Sequence, residues 1–499
     1  MAVGNAVREL ASRLGKTNII LAGDVDSSSI NNLEIELIAS KLIERHRDET
    51  GIVIVGNEEL RNLAKELELE KAPMTVEVIP SSDYKPIAAD VDARYSISNK
   101  PLERAEGTVD DFVQHFRSRL ARMREMIEQH RGSMTGLMPN IESLKAYTSG
   151  RDVTIMGLIS NKITTKNGNI MAVLEDETGE AKVIFMNSPS SKALFESARS
   201  IVNDEAVAIK GKISGPFVIA KEIVWPDVPI KQRGRQDEDI AIAFVSDVHV
   251  GSKDFMDKSF SNLIKWLNGG VDGRKDLAGK VKYVVMAGDL VDGIGVYPNQ
   301  DRNLEILDVY TQYRVFFNFI SAIPDYIHVF LMPGNHDAVQ RAEPQPQLGP
   351  DILGDFKADN VHVLPNPSFL TLHGTDILAY HGTSLDSVIA SIPGMSYAQP
   401  EKAMTEILKR RHLSPIYGGY MMVPSKNDNL VIERVPDILN MGHVHKNGLS
   451  NYHGVDILNS GTWQGQTDYQ LMQGHMPTPA LLPVYETKKN EFTHVNFNK

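Results

Sequence analysis

Five apolar runs in the second half of the chain each stop at a short cluster of ligand-type residues. Residues 240–245 run into Ser246-Asp247-Val248-His249, and 283–287 run into Gly288-Asp289. Residues 327–332 run into Pro333-Gly334-Asn335-His336-Asp337, 377–380 into His381-Gly382, and 436–441 into Gly442-His443-Val444-His445. Near-continuous apolar runs of this length are expected of strands buried on both faces. In α/β sheets, ligands gather at the carboxyl ends of such strands. The five polar tips are therefore expected at one edge. Helix-spaced segments at 258–267, 303–320 and 401–411 separate the runs. The combination predicts a layered α/β sandwich, two sheets flanked by helices.

The inventory at the tips points to metal chemistry. Asp247 and His249 are two apart, as are His443 and His445, so on an extended backbone each pair points the same way. Glycines before Asp289, Asn335 and His443 allow tight turns there. Unpaired in a core, such groups would cost about 1–3 kcal/mol each. Three oxygen-type candidates (Asp247, Asp289, Asn335) and four imidazoles (His249, His381, His443, His445) exceed what one ion uses. They suit two ions sharing a bridging carboxylate, about 3.5–4 Å apart. To read them instead as satisfied edge residues, the same coincidence must be invoked at every tip. The chain has no cysteine, which excludes thiolate ligands, disulfides and cysteine nucleophiles, so nitrogen and oxygen must hold any metal.

With 499 residues the chain is expected to form several domains. Residues 1–75 read as a small, mostly helical module with helices at 6–14, 31–47 and 58–67. The apolar stretch at 18–26 reads as a segment and turn, with serines at 27–29 as caps for the next helix and no catalytic role for Asp24. Residues 76–145 read as a linker followed by a basic helix at 111–130. Its Arg117, Arg119, Arg122 and Arg124 could touch DNA, but a docking or solvated face is the preferred reading. Residues 146–230 carry short strands with one interposed helix, the pattern of an OB-fold barrel. Phe185, Phe217 and Trp225 are few aromatics for a single-strand reader, which favours a structural barrel. Residues 231–499 form the sandwich.

Fifty-two basic and 64 acidic residues give a net charge of −12, which argues against autonomous DNA binding. It does not exclude a phosphate substrate, because bound cations invert the local field. No apolar run approaches the roughly 20 residues that span a bilayer. The first ten residues lack a secretory apolar region, so a cytoplasmic protein without a membrane partner is expected. His328, His362, His373 and His453 read as core or surface histidines, and the methionines as core filler.

Asp-x-His, Gly-Asp, Gly-Asn-His-Asp, His-Gly and Gly-His-x-His, in this order, resemble the signature of the calcineurin-like metallophosphoesterases. Within that superfamily, Ser246-Asp247-Val248-His249-Val250-Gly251-Ser252, Gly293-Ile294-Gly295-Val296-Tyr297-Pro298 and Lys409-Arg410-Arg411-His412-Leu413-Ser414-Pro415-Ile416-Tyr417 are similar to the small subunits of archaeal family D DNA polymerases. The likeness covers residues 150–499, including the order of barrel before phosphoesterase; residues 1–150 match only as a small module and linker.

The resemblance implies a calcineurin-like phosphoesterase sandwich behind the OB-fold. It implies one metal held by Asp247, His249, Asp289 and His445 and a second by Asp289, Asn335, His381 and His443, with Asp289 bridging. It implies that His336 protonates the leaving oxygen and that Asp337 orients His336. Two divalent ions are implied; Mn²⁺ is the expected one, with Fe, Co, Ni or Zn as alternatives. The implied activity is 3′→5′ hydrolysis of DNA phosphodiesters for proofreading. The implied partners are a large catalytic polymerase subunit, which this chain would also scaffold, a single-stranded or primer-template 3′ end, and a sliding clamp. Lys409-Arg410-Arg411 would contact phosphate or that subunit, or else form a solvated helix end.

Two other readings compete. Small subunits of eukaryotic replicative polymerases are catalytically silent, but they have lost ligands that this chain keeps. Protein phosphatases carry Gly-Asp-x-Val-Asp-Arg-Gly and Gly-Asn-His-Glu. Here Gly293 stands after Asp292 in place of the phosphate-binding arginine, and the third motif ends in Asp337. Asp292 is then expected to be a structural carboxylate near the ligands.

Overall fold

The computed structural model describes residues 3–25, 35–71, 84–130, 136–232, 234, 236–271 and 273–498; the caps expected at 27–29 lie outside them. Near the N-terminus, helices Val3–Leu14, Ile35–Arg45 and Asn57–Lys71 bury Leu10, Leu14, Ile38, Leu42, Leu60 and Leu63 in a core of their own. The apolar segment read before a turn is a short strand, and the turn follows it at 23–24. Ile19–Leu21 pairs in parallel with Val53–Val55, with Ile19, Val53 and Val55 buried and Ile20 and Ile54 outward. Asp24 lies just beyond that strand, exposed.

Strands Asp152–Thr164, Ile170–Asp176, Gly179–Phe185, Ala206–Ser214 and Phe217–Val224 close into a five-stranded barrel. Helix Lys192–Arg199 comes between the third and fourth. Alternate residues such as Ile155, Ile170, Val183, Ile209 and Val218 fill its interior. Phe185 and Trp225 are buried in the same core, so neither offers a ring to a ligand.

Two six-stranded sheets follow. In the first, Val361–Val363, His328–Met332, Val281–Ala287 and Ala241–Val245 run parallel, and Leu481–Glu486 and Glu491–Asn496 complete it. In the second, Thr375–Ala379, Ile438–Met441 and Val455–Ser460 run parallel, flanked by Asn447–Tyr452, Ser368–Leu372 and Tyr95–Ile97. Phe244, Val285, Phe330, Leu370, Ile377 and Ile438 meet in one core between the sheets. Helices Asp257–Leu267 and Val309–Ser321 cover the outer face of the first sheet. Leu385–Ser391 and Pro400–Arg410 cover that of the second. The helix expected from 303 starts only at Val309, because the Asp308 side chain accepts from Thr311 N (2.7 Å) and caps it there.

Two sequence readings need correction. The stretch read as linker is woven into the sandwich: Tyr95–Ile97 is an edge strand of the second sheet, and Ala88 N donates to Gly279 O at 2.9 Å. The basic helix docks, one of the two preferred readings for it, whereas Arg410 and Arg411, read as a contact to phosphate or the large subunit or as a solvated helix end, are internal. On helix Val109–His130, buried Arg119 meets buried Asp428 (Nε–Oδ2 2.7 Å), and Arg122 donates to Asp428 O at 2.9 Å. Arg410 is paired with Glu205 of the barrel and with Glu406. Arg411 donates to the carbonyls of Ile432, Glu433 and Asp227, and Lys409 lies 3.9 Å from the Trp225 ring centre. An unpaired buried cation costs several kcal/mol, so these arginines join elements and are not offered to phosphate. Arg117 and Arg124 find acids at the surface, Glu177 and Glu128. The four set-aside histidines are packed: His328 against His362, His373 on Tyr283 Oη (2.6 Å), and His453 on Val228 O (2.8 Å).

Candidate metal centre

The five polar tips meet. Three come from adjacent strands of the first sheet and two from adjacent strands of the second. His249 and His445 Nε2 are 3.0 Å apart, and His445 Nε2 lies 3.4 Å from Asp247 Oδ1. Asn335 Oδ1 lies 2.9 Å from His381 Nε2 and 3.0 Å from His443 Nδ1. Asp289 Oδ2 reaches both groups, 3.7 Å from His249 Nε2 and 3.3 Å from His381 Nε2. Neighbouring ligands at about 2.0–2.2 Å from one ion would lie about 3 Å apart. Asp247, His249 and His445 therefore form one candidate metal-holding cluster and Asp289, His381 and His443 a second.

The backbone is shaped to deliver these groups. Asp247 (φ 53°), His249 (54°), Asp289 (50°), His443 (70°) and His445 (54°) are all left-handed. For residues with a Cβ this costs about 1–3 kcal/mol each and concentrates at functional sites. A Cβ on Gly334 would lie 2.2 Å from Asp289 Oδ1, and one on Gly442 2.3 Å from Asp247 Oδ2, so only glycine lets the turns approach this closely.

Hydrogen bonds on the outer sides of the rings support a metal in the middle. His249 Nδ1 donates to Asp292 Oδ1 (2.9 Å), His381 Nδ1 to Ala287 O (2.8 Å) and His443 Nε2 to Asp386 Oδ2 (2.9 Å). Each ring thus turns its other nitrogen toward the centre, where a cation would replace its proton, the arrangement that histidine ligands adopt. Gln470 Nε2 sits 2.8 Å from His445 Nδ1. The electrostatics agree. Burial disfavours charge on His381, but the adjoining Asp289 carboxylate overrides it and raises the imidazole to about 10. Burial acts likewise on His249, and Asp292 with Asp289 overrides it, to about 9. Asp289 stays well below the usual carboxylate value despite its burial, chiefly through His381 and His336. Three buried carboxylates are pulling positive charge into a confined space, as a cation site would. The donor set of imidazoles, carboxylates and an amide suits a divalent transition metal.

His336 stands beside the clusters, partly exposed. Its ring lies edge-on to His249 at 4.7 Å, its main-chain N donates to Asp289 Oδ1 (2.9 Å), and its Nδ1 donates to Asp292 O (2.8 Å). Burial holds it below the ordinary imidazole value against the pull of Asp289. A cavity of about 220 Å³ opens here, lined by Asn335, His336, Gly293 and Arg341.

Asp337 does not orient His336. Its oxygens accept from Gly334 N (2.8 Å), Leu290 N (3.2 Å) and Tyr313 Oη (2.8 Å), so it ties the Asp289 and Asn335 turns together. Asp292, expected as a structural carboxylate, holds His249 through its side chain and His336 through its main chain. Sequence reasoning does not find Asp386 and Gln470: they lie outside every motif and reach the ligands only through the fold.

The family model for the B-type subunits of DNA polymerases alpha and epsilon matches residues 242–447, a span that includes all five tips. The chain is 40% identical over 421 residues to the DNA polymerase II small subunit of Methanocaldococcus jannaschii, covering 82% of this chain and 70% of that protein. To the protein of the same name from Archaeoglobus fulgidus it is 41% identical over 383 residues, 76% of each. To that from Pyrococcus furiosus it is 33% identical over 500 residues, 95% of this chain and 81% of that one.

Proposed function

The chain belongs to the family of archaeal DNA polymerase II small subunits, and from that premise we propose that its metal centre is a 3′→5′ exodeoxyribonuclease serving a replicative polymerase. In this reading the two sheets are a calcineurin-like phosphoesterase sandwich and the barrel is an OB-fold. The units are 1–75, 76–145, 146–230 and 231–499, with residues 84–107 packed as part of the last. A large catalytic subunit carries out synthesis and is scaffolded by this chain, and a primer-template or single-stranded 3′ end is the substrate.

The observation that carries the proposal is a buried carboxylate, Asp289, shared by two groups of inward-facing ligand atoms, with His336 beside it. Asp247, His249, Asp289 and His445 would hold one ion and Asp289, Asn335, His381 and His443 the other, with Mn²⁺ the expected metal. Two such ions supply a nucleophilic water at neutral pH and offset the phosphate charge. The chain's own residues supply the rest. The left-handed turns hold the ligand side chains toward the centre, and the Asp292 carbonyl fixes His336 Nδ1. To act as the acid, His336 must bind a second proton at Nε2, which the negative charge of a phosphate beside it would favour; it gives that proton to the departing 3′ oxygen as the phosphorus–oxygen bond breaks and water adds to phosphorus. No protein base is then needed.

Gly293 favours a diester over a monoester. It sits where phosphatases place a phosphate-binding arginine, its φ is +71°, and a Cβ there would lie 2.1 Å from His336 O. The test is hydrolysis of 5′-labelled single-stranded DNA with Mn²⁺ and with chelator. A ladder shortening from the 3′ end, abolished by chelator and by Asp289→Asn, is expected; an Asp289→Asn variant cutting at the native rate would overturn the proposal.

A further inference from the structure

Two cavities flank the metal centre. The one of about 220 Å³ lies at His336. The other, about 490 Å³, opens at His445 and is lined by Met395, Tyr397, Gln470, His475 and Met476 among others. Its walls come from two surface loops that the metal ligands join together. Tyr397 Oη donates to Asp386 Oδ1 (2.9 Å), and Asp386 holds His443. The opposite wall follows helix Asp468–Met472, whose Gln470 touches His445. The loops meet where the Tyr397 and His475 rings pack at 4.2 Å between centres. Met472 and Met476 are 77% and 74% exposed beside them. Among the described residues, no carboxylate lines this cleft. It therefore offers flat aromatic and apolar surface one ligand, His445, away from the proposed phosphate site, with the nearby Asp386 carboxylate engaged by Tyr397 and His443.

In-line displacement constrains which part of the substrate lies there. The nucleotide whose 3′ oxygen departs, and which keeps that oxygen as its new 3′ hydroxyl, must lie on the His336 side, because His336 protonates that oxygen. The attacking water lies opposite that oxygen, so the nucleotide that keeps the phosphate, joined through its equatorial 5′ oxygen, lies to the side of that axis and away from His336. Resting on the exonuclease reading above, we propose that the cleft at His445 takes the nucleoside of the 3′-terminal nucleotide as it is cut away, its base against the Tyr397–His475 pair. Stacking of this kind tolerates any base, which an enzyme removing all four terminal nucleotides requires.

The test compares calorimetric binding of a deoxynucleoside 5′-monophosphate with that of deoxyribose 5-phosphate to the full chain in complex with its large subunit and Mn²⁺. The nucleotide should bind about 5- to 150-fold more tightly, the range of one base–aromatic stack. Tyr397→Ala should bring the ratio toward one. Tyr397→Phe, which keeps the ring and loses the bond to Asp386, should preserve it. Should Tyr397→Ala not fold, His475→Ala reports on the same pair, and the native comparison stands by itself. Equal binding of the two ligands to the native complex, or an undiminished ratio in the alanine variants, would overturn the proposal. His336→Ala separates this from failure of the exonuclease reading. If that variant still shortens 3′ ends at the native rate, the reading falls; if it does not, while the two ligands bind equally, only the cleft assignment falls.

Discussion

Two regions of this molecule bury nearly the same residue types to opposite effect. At the candidate metal centre, Asp247, Asp289 and Asp292 face imidazoles, and among the described residues none of them pairs with a guanidinium. At the junction between helix Val109–His130, the barrel and the sandwich, Asp428 accepts from Arg119 and His412 and lies 3.1 Å from His115, while Glu205 pairs with Arg410. Permanent cations neutralise the carboxylates of the junction, so it needs nothing from outside. The centre has carboxylates without guanidinium partners and ring nitrogens held open by bonds on their far sides. One arrangement closes a fold; the other is short of positive charge and offers ligands to make it up.

That contrast can be broken in four ways. Asp289→Asn removes the shared carboxylate and should reduce DNA hydrolysis to the level seen with chelator while thermal stability is kept. His336→Ala should slow cleavage about 10²–10⁴-fold, the usual worth of a general acid, with the metal content unchanged by elemental analysis. Asp428→Asn should leave metal content intact and instead lower unfolding free energy by about 3–5 kcal/mol in urea titration, because it strands Arg119. Asp292→Asn should weaken metal binding about 10–100-fold, the usual effect of losing a ligand's hydrogen-bond partner.

A fifth, smaller effect concerns pH. Burial, reinforced by the charge of Arg119, holds His412 down at about 4 against the ordinary imidazole value of 6.5. The unfolded chain then binds the proton first, so stability rises with pH across that window. The junction's contribution is complete above pH 6.5 and is lost as pH falls toward about 4. Melting temperature followed across that range should drop on acidification in the native chain and less so in His412→Gln. An unchanged slope would mean that His412 is not the group being titrated.

The centre was legible in the sequence because strand periodicity is local: an apolar run ending in Asp-x-His or Gly-His-x-His announces both the strand and its tip. The barrel was legible for the same reason, its strands standing within a few residues of the turn signals. What escaped depends on distant partners. Tyr95–Ile97 resembles a linker until the free edge of Ser368–Leu372 pairs with it. Ile19–Leu21 is too short for its alternation to show. Arg119 and Arg410 resemble solvated charges because Asp428 and Glu205 lie hundreds of residues away. Asp337, next to His336 in sequence, reads as its partner, but the path of the loops gives that place to the Asp292 main chain.

The most direct test counts ions and follows cleavage in one experiment: equilibrium dialysis of the chelator-stripped chain against Mn²⁺, with shortening of a 5′-labelled strand measured at each step. Two ions bound per native chain, with cleavage appearing only as they bind, is the predicted result. Undiminished cleavage by the stripped chain, or two ions still bound after Asp289→Asn, would contradict it.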